Sequence, residues 1–101
     1  MKDFYFVILG SETDSTNTQM TERLLELGDV RKLMKNFYLL KISEQDVDMR
    51  IYIRDKVTGD EKSPVFVIRV TDKLSSAWCM PKENSEYLKK MIKEELHGSV
   101  E

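Results

Sequence analysis

The run Pro64-Val65-Phe66-Val67-Ile68-Arg69-Val70 constrains the chain more than any other stretch. It strings five apolar, mostly β-branched or aromatic residues behind a proline, which is a strand pattern. Apolar side chains at successive positions predict a strand buried on both faces, hence a central one. Phe4-Tyr5-Phe6-Val7-Ile8-Leu9 repeats the pattern near the start and predicts a second central strand, ended by Gly10-Ser11. Two such strands need helices to cover them.

Between the two lies a helix, a hairpin and a crossover. Thr16 and Gln19 have capping-box spacing, so a first helix is expected to start near Thr16. Met20, Leu24 and Leu27 form its apolar stripe, Leu25 widens it, and Gly28 is expected to end it as a left-handed cap. Val30-Arg31-Lys32-Leu33-Met34 reads as a charged edge strand, Lys35-Asn36 as a turn, and Phe37–Ile42 as the second arm of the hairpin. Residues 43–59 carry both a period of two and a helical face of Met49, Tyr52, Ile53, Lys56 and Val57. A crossover back to the 64–70 strand favours helix, with Ser43 and Asp46 as its capping box and Gly59 as its end. Val47 and Ile51 would then lie outside the buried face.

After the 64–70 strand, Ser76-Ala77-Trp78-Cys79-Met80 is expected to form a short fifth strand stopped by Pro81. A last helix, capped by Asn84 or Ser85, carries Leu88, Met91, Ile92, Glu95 and Leu96 at three-four spacing up to Gly98. The order strand, helix, strand, strand, helix, strand predicts an α+β fold of ferredoxin-like type. It has an antiparallel sheet, with the fifth strand and C-terminal helix appended. At 101 residues the chain is expected to be one domain, residues 1–101.

Composition narrows the function classes. Sixteen Lys and Arg against 18 Asp and Glu leave a net charge of −2, without the basic excess of most nucleic-acid binders. The single cysteine cannot form an intramolecular disulfide and suits a reducing cytoplasm. No secretory leader or membrane-length apolar run is read, so no membrane partner is expected. The lone His97 cannot build a zinc site, the glycines are too scattered for a phosphate loop, and no serine sits in a glycine-framed elbow.

With these elements placed, the chain resembles the small CRISPR adaptation subunit, the ferredoxin-like partner of the spacer integrase, and its uncharacterised bacterial relatives. The resemblance covers roughly residues 3–90 and rests on Phe4–Leu9, Leu27-Gly28, Phe37-Tyr38-Leu39-Leu40-Lys41, Ile53-Arg54-Asp55-Lys56-Val57, Val65-Phe66-Val67-Ile68, Ala77-Trp78 and Pro81-Lys82. It implies a homodimer in which Ser76, Ala77, Trp78, Cys79 and Met80 add to the partner's sheet. It also tips residues 43–59 further towards helix. Catalytic members of that family carry an aspartate at the end of the first strand, where this chain has Gly10-Ser11. Glu12 and Asp14, a little further on, are the remaining carboxylates that could hold Mg²⁺, against the plainer reading of a solvated helix start.

Three functions follow as expectations. The first is a non-catalytic homodimeric scaffold without a cofactor, touching nucleic acid through Arg31, Lys32, Lys35, Arg50 and Arg54. The second is a weak, toxin-like, magnesium-dependent endoribonuclease using Glu12 and Asp14. The third is a protein-interaction module with no nucleic-acid role. Trp78 suits an interface anchor, and Cys79 is expected to be a small buried residue.

Overall fold

The computed structural model describes residues 2–59, 63–71 and 78–95. The elements run β1 (Lys2–Leu9), α1 (Asp14–Leu25), β2 (Asp29–Met34), β3 (Phe37–Ser43), α2 (Arg50–Thr58), β4 (Val65–Val70) and α3 (Lys82–Glu95). The fold is α+β, with one four-stranded antiparallel sheet of order β2-β3-β1-β4. The chain divides into two compact units, residues 1–69 and 70–101.

In the first unit, β1 is central, hydrogen-bonded between β3 and β4. Its register on β3 runs from Lys2↔Ser43 to Ile8↔Phe37. Alternation along β1 sends Tyr5, Val7 and Leu9 to one face, where they join Tyr38 and Leu40 of β3, Met20 and Leu24 of α1, and Ile53 and Val57 of α2. On the opposite face Phe4, Phe6 and Leu39 are also buried, with Phe6 edge-on to Phe37 at 5.3 Å. The near-continuous apolar run of β1 is therefore explained by burial on both faces.

Strand β4 departs from expectation. It is an edge strand with β1 on one side, and Phe66 and Ile68 stand 57% and 38% exposed. An apolar run marks a strand that buries two faces somewhere, and periodicity alone cannot say whether its own subunit supplies the cover. The other edge, β2, is charged as expected and carries a bulge between Lys32 and Met34.

Local details also differ from the sequence expectation. Helix α1 starts at Asp14, two residues before Thr16, and its N-cap Thr13 makes no side-chain cap bond. The turn is held instead by Ser11, whose Oγ accepts the Thr13 N–H and whose carbonyl accepts Asn17 Nδ2 at 2.9 Å. Gly28 is not a left-handed cap; among the described glycines the positive φ belongs to Gly59. A Cβ on Gly28 would lie 2.5 Å from the Lys41 carbonyl oxygen, so close approach of the α1–β2 turn to β3 requires glycine there. In the β2–β3 turn Asn36 takes φ 60°, which asparagine tolerates.

Ser43 is the last residue of β3, so it caps no helix, and α2 begins only at Arg50. The connection is tied down by Asp3, a buried carboxylate on β1 that accepts the Gln45 N–H at 3.0 Å and faces Arg69 at 3.6 Å. Tyr5, fully buried, accepts the Met49 N–H on its hydroxyl. At the far end of α2, Arg23 donates through Nη1 to the carbonyls of Val57 and Thr58, satisfying two of the acceptors that a helix C-terminus leaves open.

Asp48 stands just before the start of α2. Asp48 Oδ1 accepts the Arg50 main-chain N–H at 2.9 Å, and this bond holds its carboxyl below the usual carboxylate range, assisted by the Arg50 side chain. A folded-state pKa below the unfolded one gives stability that is present above the unfolded value and lost as pH falls through the folded one. Asp48→Ala is therefore expected to lower stability at neutral pH by at most about 1 kcal/mol, given its solvent exposure. Melting curves of variant and wild type should converge as pH falls through the lowered folded-state value of Asp48; a gap that stays constant as the carboxyl is protonated would refute the assignment.

In the second unit α3 buries Leu88, Met91 and Ile92, the expected stripe, and begins at Lys82 directly after Pro81. Trp78, Cys79 and Met80 form no strand. Trp78 Nε1 donates to Ser85 Oγ at 2.9 Å, which ties this stretch to the first turn of α3. Ser76 and Ala77, the first half of the expected fifth strand, lie outside the described residues, as do Leu96, His97 and Gly98.

Candidate functional site

Among the described residues no strand pairs with the outer edge of β4, and this edge is the feature most suited to binding. Pro64 presents its carbonyl to the Gly10 N–H at 2.8 Å, on the β1 side. Main-chain groups alternate direction along a strand, so the N–H and C=O of Val65, Val67 and Arg69 turn away from β1, to the free edge. Val65 and Val67 aim their side chains at the buried cluster, which sets Phe66 and Ile68 on the opposite face. Ile8, 37% exposed on β1, shares that face by the same alternation.

No charge interrupts residues 65–68. Lysine and a bulge, two of the guards that normally blunt a sheet edge, are found on β2, whereas β4 carries no lysine. Arg69, at the end of the run, is engaged by Asp3.

Beside the edge runs an open groove of about 320 Å³, lined by Val65 and Val67 of β4 and by Arg50, Ile51 and Arg54 of α2. Ile51 is 65% exposed. The sequence expectation that Ile51 falls outside the buried face of α2 holds, and the structure puts it on the groove wall. The two arginines rim the groove, but each is locally compensated. Arg50 Nε contacts Asp48 at 2.6 Å and Arg54 Nε contacts Asp55 at 2.9 Å. Two cations faced by two carboxylates give the groove little net field for a polyanion.

The five candidate cations fall in two groups, as their positions on the second strand and the following helix predict. Arg50 and Arg54 meet at the β4 groove, whereas Arg31 and Lys32 lie on β2, the opposite edge, and Lys35 in the turn after it. Glu12 is exposed in the β1–α1 loop and Asp14 is exposed as the first residue of α1. Among the described residues no three His, Cys, Asp or Glu side chains gather to hold a metal ion. Asn17 is buried behind that loop, with Oδ1 unpartnered. Cys79 is exposed, contrary to the expected small buried residue, and Trp78 is half-buried. Among the described residues no helix is long and apolar enough to cross a membrane.

Phe66 and Ile68 are the site residues that sequence reasoning placed in the interior. Their signal was present as an apolar run; its meaning depended on which strand lies outermost. No protein-family model, curated protein or solved structure matches this chain.

Proposed function

We propose that this chain is a non-catalytic binding module with a ferredoxin-like core, and that it works by strand addition at the free edge of β4. The observation that carries the reading is the unguarded edge, with Phe66 and Ile68 exposed on one face and the Ile51 groove on the other. An extended segment laid along β4 gains main-chain hydrogen bonds from Val65, Val67 and Arg69 and apolar contacts on both faces. The element order from β1 to β4 and the sheet order β2-β3-β1-β4 support the ferredoxin-like assignment. The likeness to the small CRISPR adaptation subunit carries no weight here, because no match supports it. The exposed thiol of Cys79 suits a reducing cytoplasmic setting.

A peptide of about seven alternating valine and threonine residues is a suitable probe. Titrated into isotope-labelled protein, it is expected to shift and protect the amides of Val65, Val67 and Arg69 and to leave β2 unchanged. Binding confined to another surface would refute strand addition. Magnesium-dependent cleavage of RNA or DNA that disappears with Glu12→Ala and Asp14→Ala would replace this reading with the nuclease one.

A further inference from the structure

We infer that the first unit holds a second binding site, a cavity at the start of α2 that takes a neutral, ring-sized aromatic molecule carrying one N–H or O–H donor. The site stands apart from the β4 edge and does not rest on the strand-addition reading.

The cavity measures about 180 Å³ and lies where the α1–β2 turn, the end of β3 and the first turn of α2 meet. Its floor is apolar. Ile53 is fully buried, and Leu27, Ile42 and Met49 are half-buried residues packed against the main hydrophobic cluster. Each of these three keeps part of its apolar surface uncovered, and burying it is what a ligand gains. Ser43, Gln45 and Tyr52 are exposed and make the mouth polar. The hollow is large enough for a ring, since an apolar cavity of about 150 Å³ takes up benzene. Its lining holds no charged side chain, which selects a neutral ligand, because an ion seated there gives up water for no counter-charge.

The walls are set in advance. Two buried side chains of β1 hold the connection between β3 and α2: Asp3 accepts the Gln45 N–H at 3.0 Å, and Tyr5 accepts the Met49 N–H at 3.1 Å. Both residues held in this way line the cavity. On the other side, a Cβ on Gly28 would lie 2.9 Å from Ile42 Cγ2, so the α1–β2 turn that carries Leu27 sits tightly on β3. A site with fixed walls loses little freedom on binding. The Gln45 side chain donates through Nε2 to the Ser43 carbonyl at 3.1 Å, which anchors the amide at the mouth and leaves Oε1 to accept from a ligand. Tyr52 supplies an aromatic wall, with the Lys56 ammonium 5.8 Å from its ring centroid. A planar ring with one donor satisfies the wall and the acceptor together.

Indole, neutral and planar with a single N–H, is the probe. Titrated to about 10 mM into the methyl-labelled full chain, it is expected to give saturable shifts at Leu27, Ile42, Met49 and Ile53. The dissociation constant should fall between about 0.1 and about 5 mM, with no shift at Ile51, Val65 and Val67. 1-Methylindole, which lacks the donor, should bind about threefold more weakly or worse, and Gln45→Ala should erase that preference. Indole-3-acetate should bind more weakly than indole by about fivefold. Ser43→Trp sets a ring across the mouth from an exposed position and should weaken indole by about tenfold or more. Far-UV circular dichroism establishes that both variants are folded. An absence of saturable shifts, shifts centred on Ile51, Val65 and Val67, or indole binding indifferent to Ser43→Trp overturns the site. Tighter binding of the anion than of indole overturns the neutral class. A preference for indole that survives Gln45→Ala overturns the acceptor. The strand probe is read separately, at the amides of Val65, Val67 and Arg69, so failure of either reading leaves the other standing.

Discussion

Gly28→Ala will destabilise the protein by about 3 kcal/mol and lower the urea midpoint by roughly 1–2 M. The added methyl would sit 2.5 Å from the Lys41 carbonyl oxygen and 2.9 Å from Ile42 Cγ2. The first contact is with main chain at the open end of the hairpin, where Asp29 pairs with Lys41, so no side-chain rotation relieves it. The α1–β2 turn must move off β3, the strand that β1 and β2 share as neighbour. Propensity alone argues the other way, because alanine is the better residue in most backbone conformations accessible to both. A stability equal to or above wild type in a urea titration would show that the turn relaxes at no cost.

Leu24→Ala will cost about 3 kcal/mol, and with it roughly 15 °C in melting temperature, because Leu24 is fully buried among Tyr5, Leu40, Ile53 and their neighbours. The adjacent Leu25→Ala will change stability by no more than about 0.5 kcal/mol, since Leu25 is 55% exposed. The pair is an internal control: same residue type, same helix, same propensity change, opposite burial. Equal losses for the two in calorimetry would mean that Leu25 is covered in the assembled state.

The contrast between Leu24 and Leu25 shows how far the sequence could be read. Periodicity placed Met20 and Leu24 on the buried stripe of α1, and it admitted Leu25 to the same face, because a stripe has a width that spacing alone does not set. Leu88, Met91 and Ile92 on α3 were legible for the same reason as Leu24. Capping was less legible. Ser11 and Asn17 hold the start of α1 through bonds six residues apart, and no capping-box spacing encodes that. Asp3 and Tyr5 hold the start of α2 from more than forty positions away in the chain, so they too escape local patterns. Of the candidate site, Arg50, Ile51 and Arg54 drew notice from their charge and phase, but the groove that unites them with Val65 and Val67 exists only once α2 and β4 are adjacent.

The sequence by itself determined the α+β class with an antiparallel sheet, the hairpin between β2 and β3, the apolar faces of the helices and the burial of β1 on both faces, but the expected fifth strand is not seen among the described residues. Each is a consequence of short-range periodicity, in which side chains a few positions apart share a face. Which strand lies outermost was decided by the tertiary structure. Phe4–Leu9 and Val65–Val70 carry nearly the same apolar pattern, yet among the described strands one sits between two neighbours and the other has a single neighbour. An apolar pattern reports that a strand is to be covered; only the packed sheet shows from which side the cover must come.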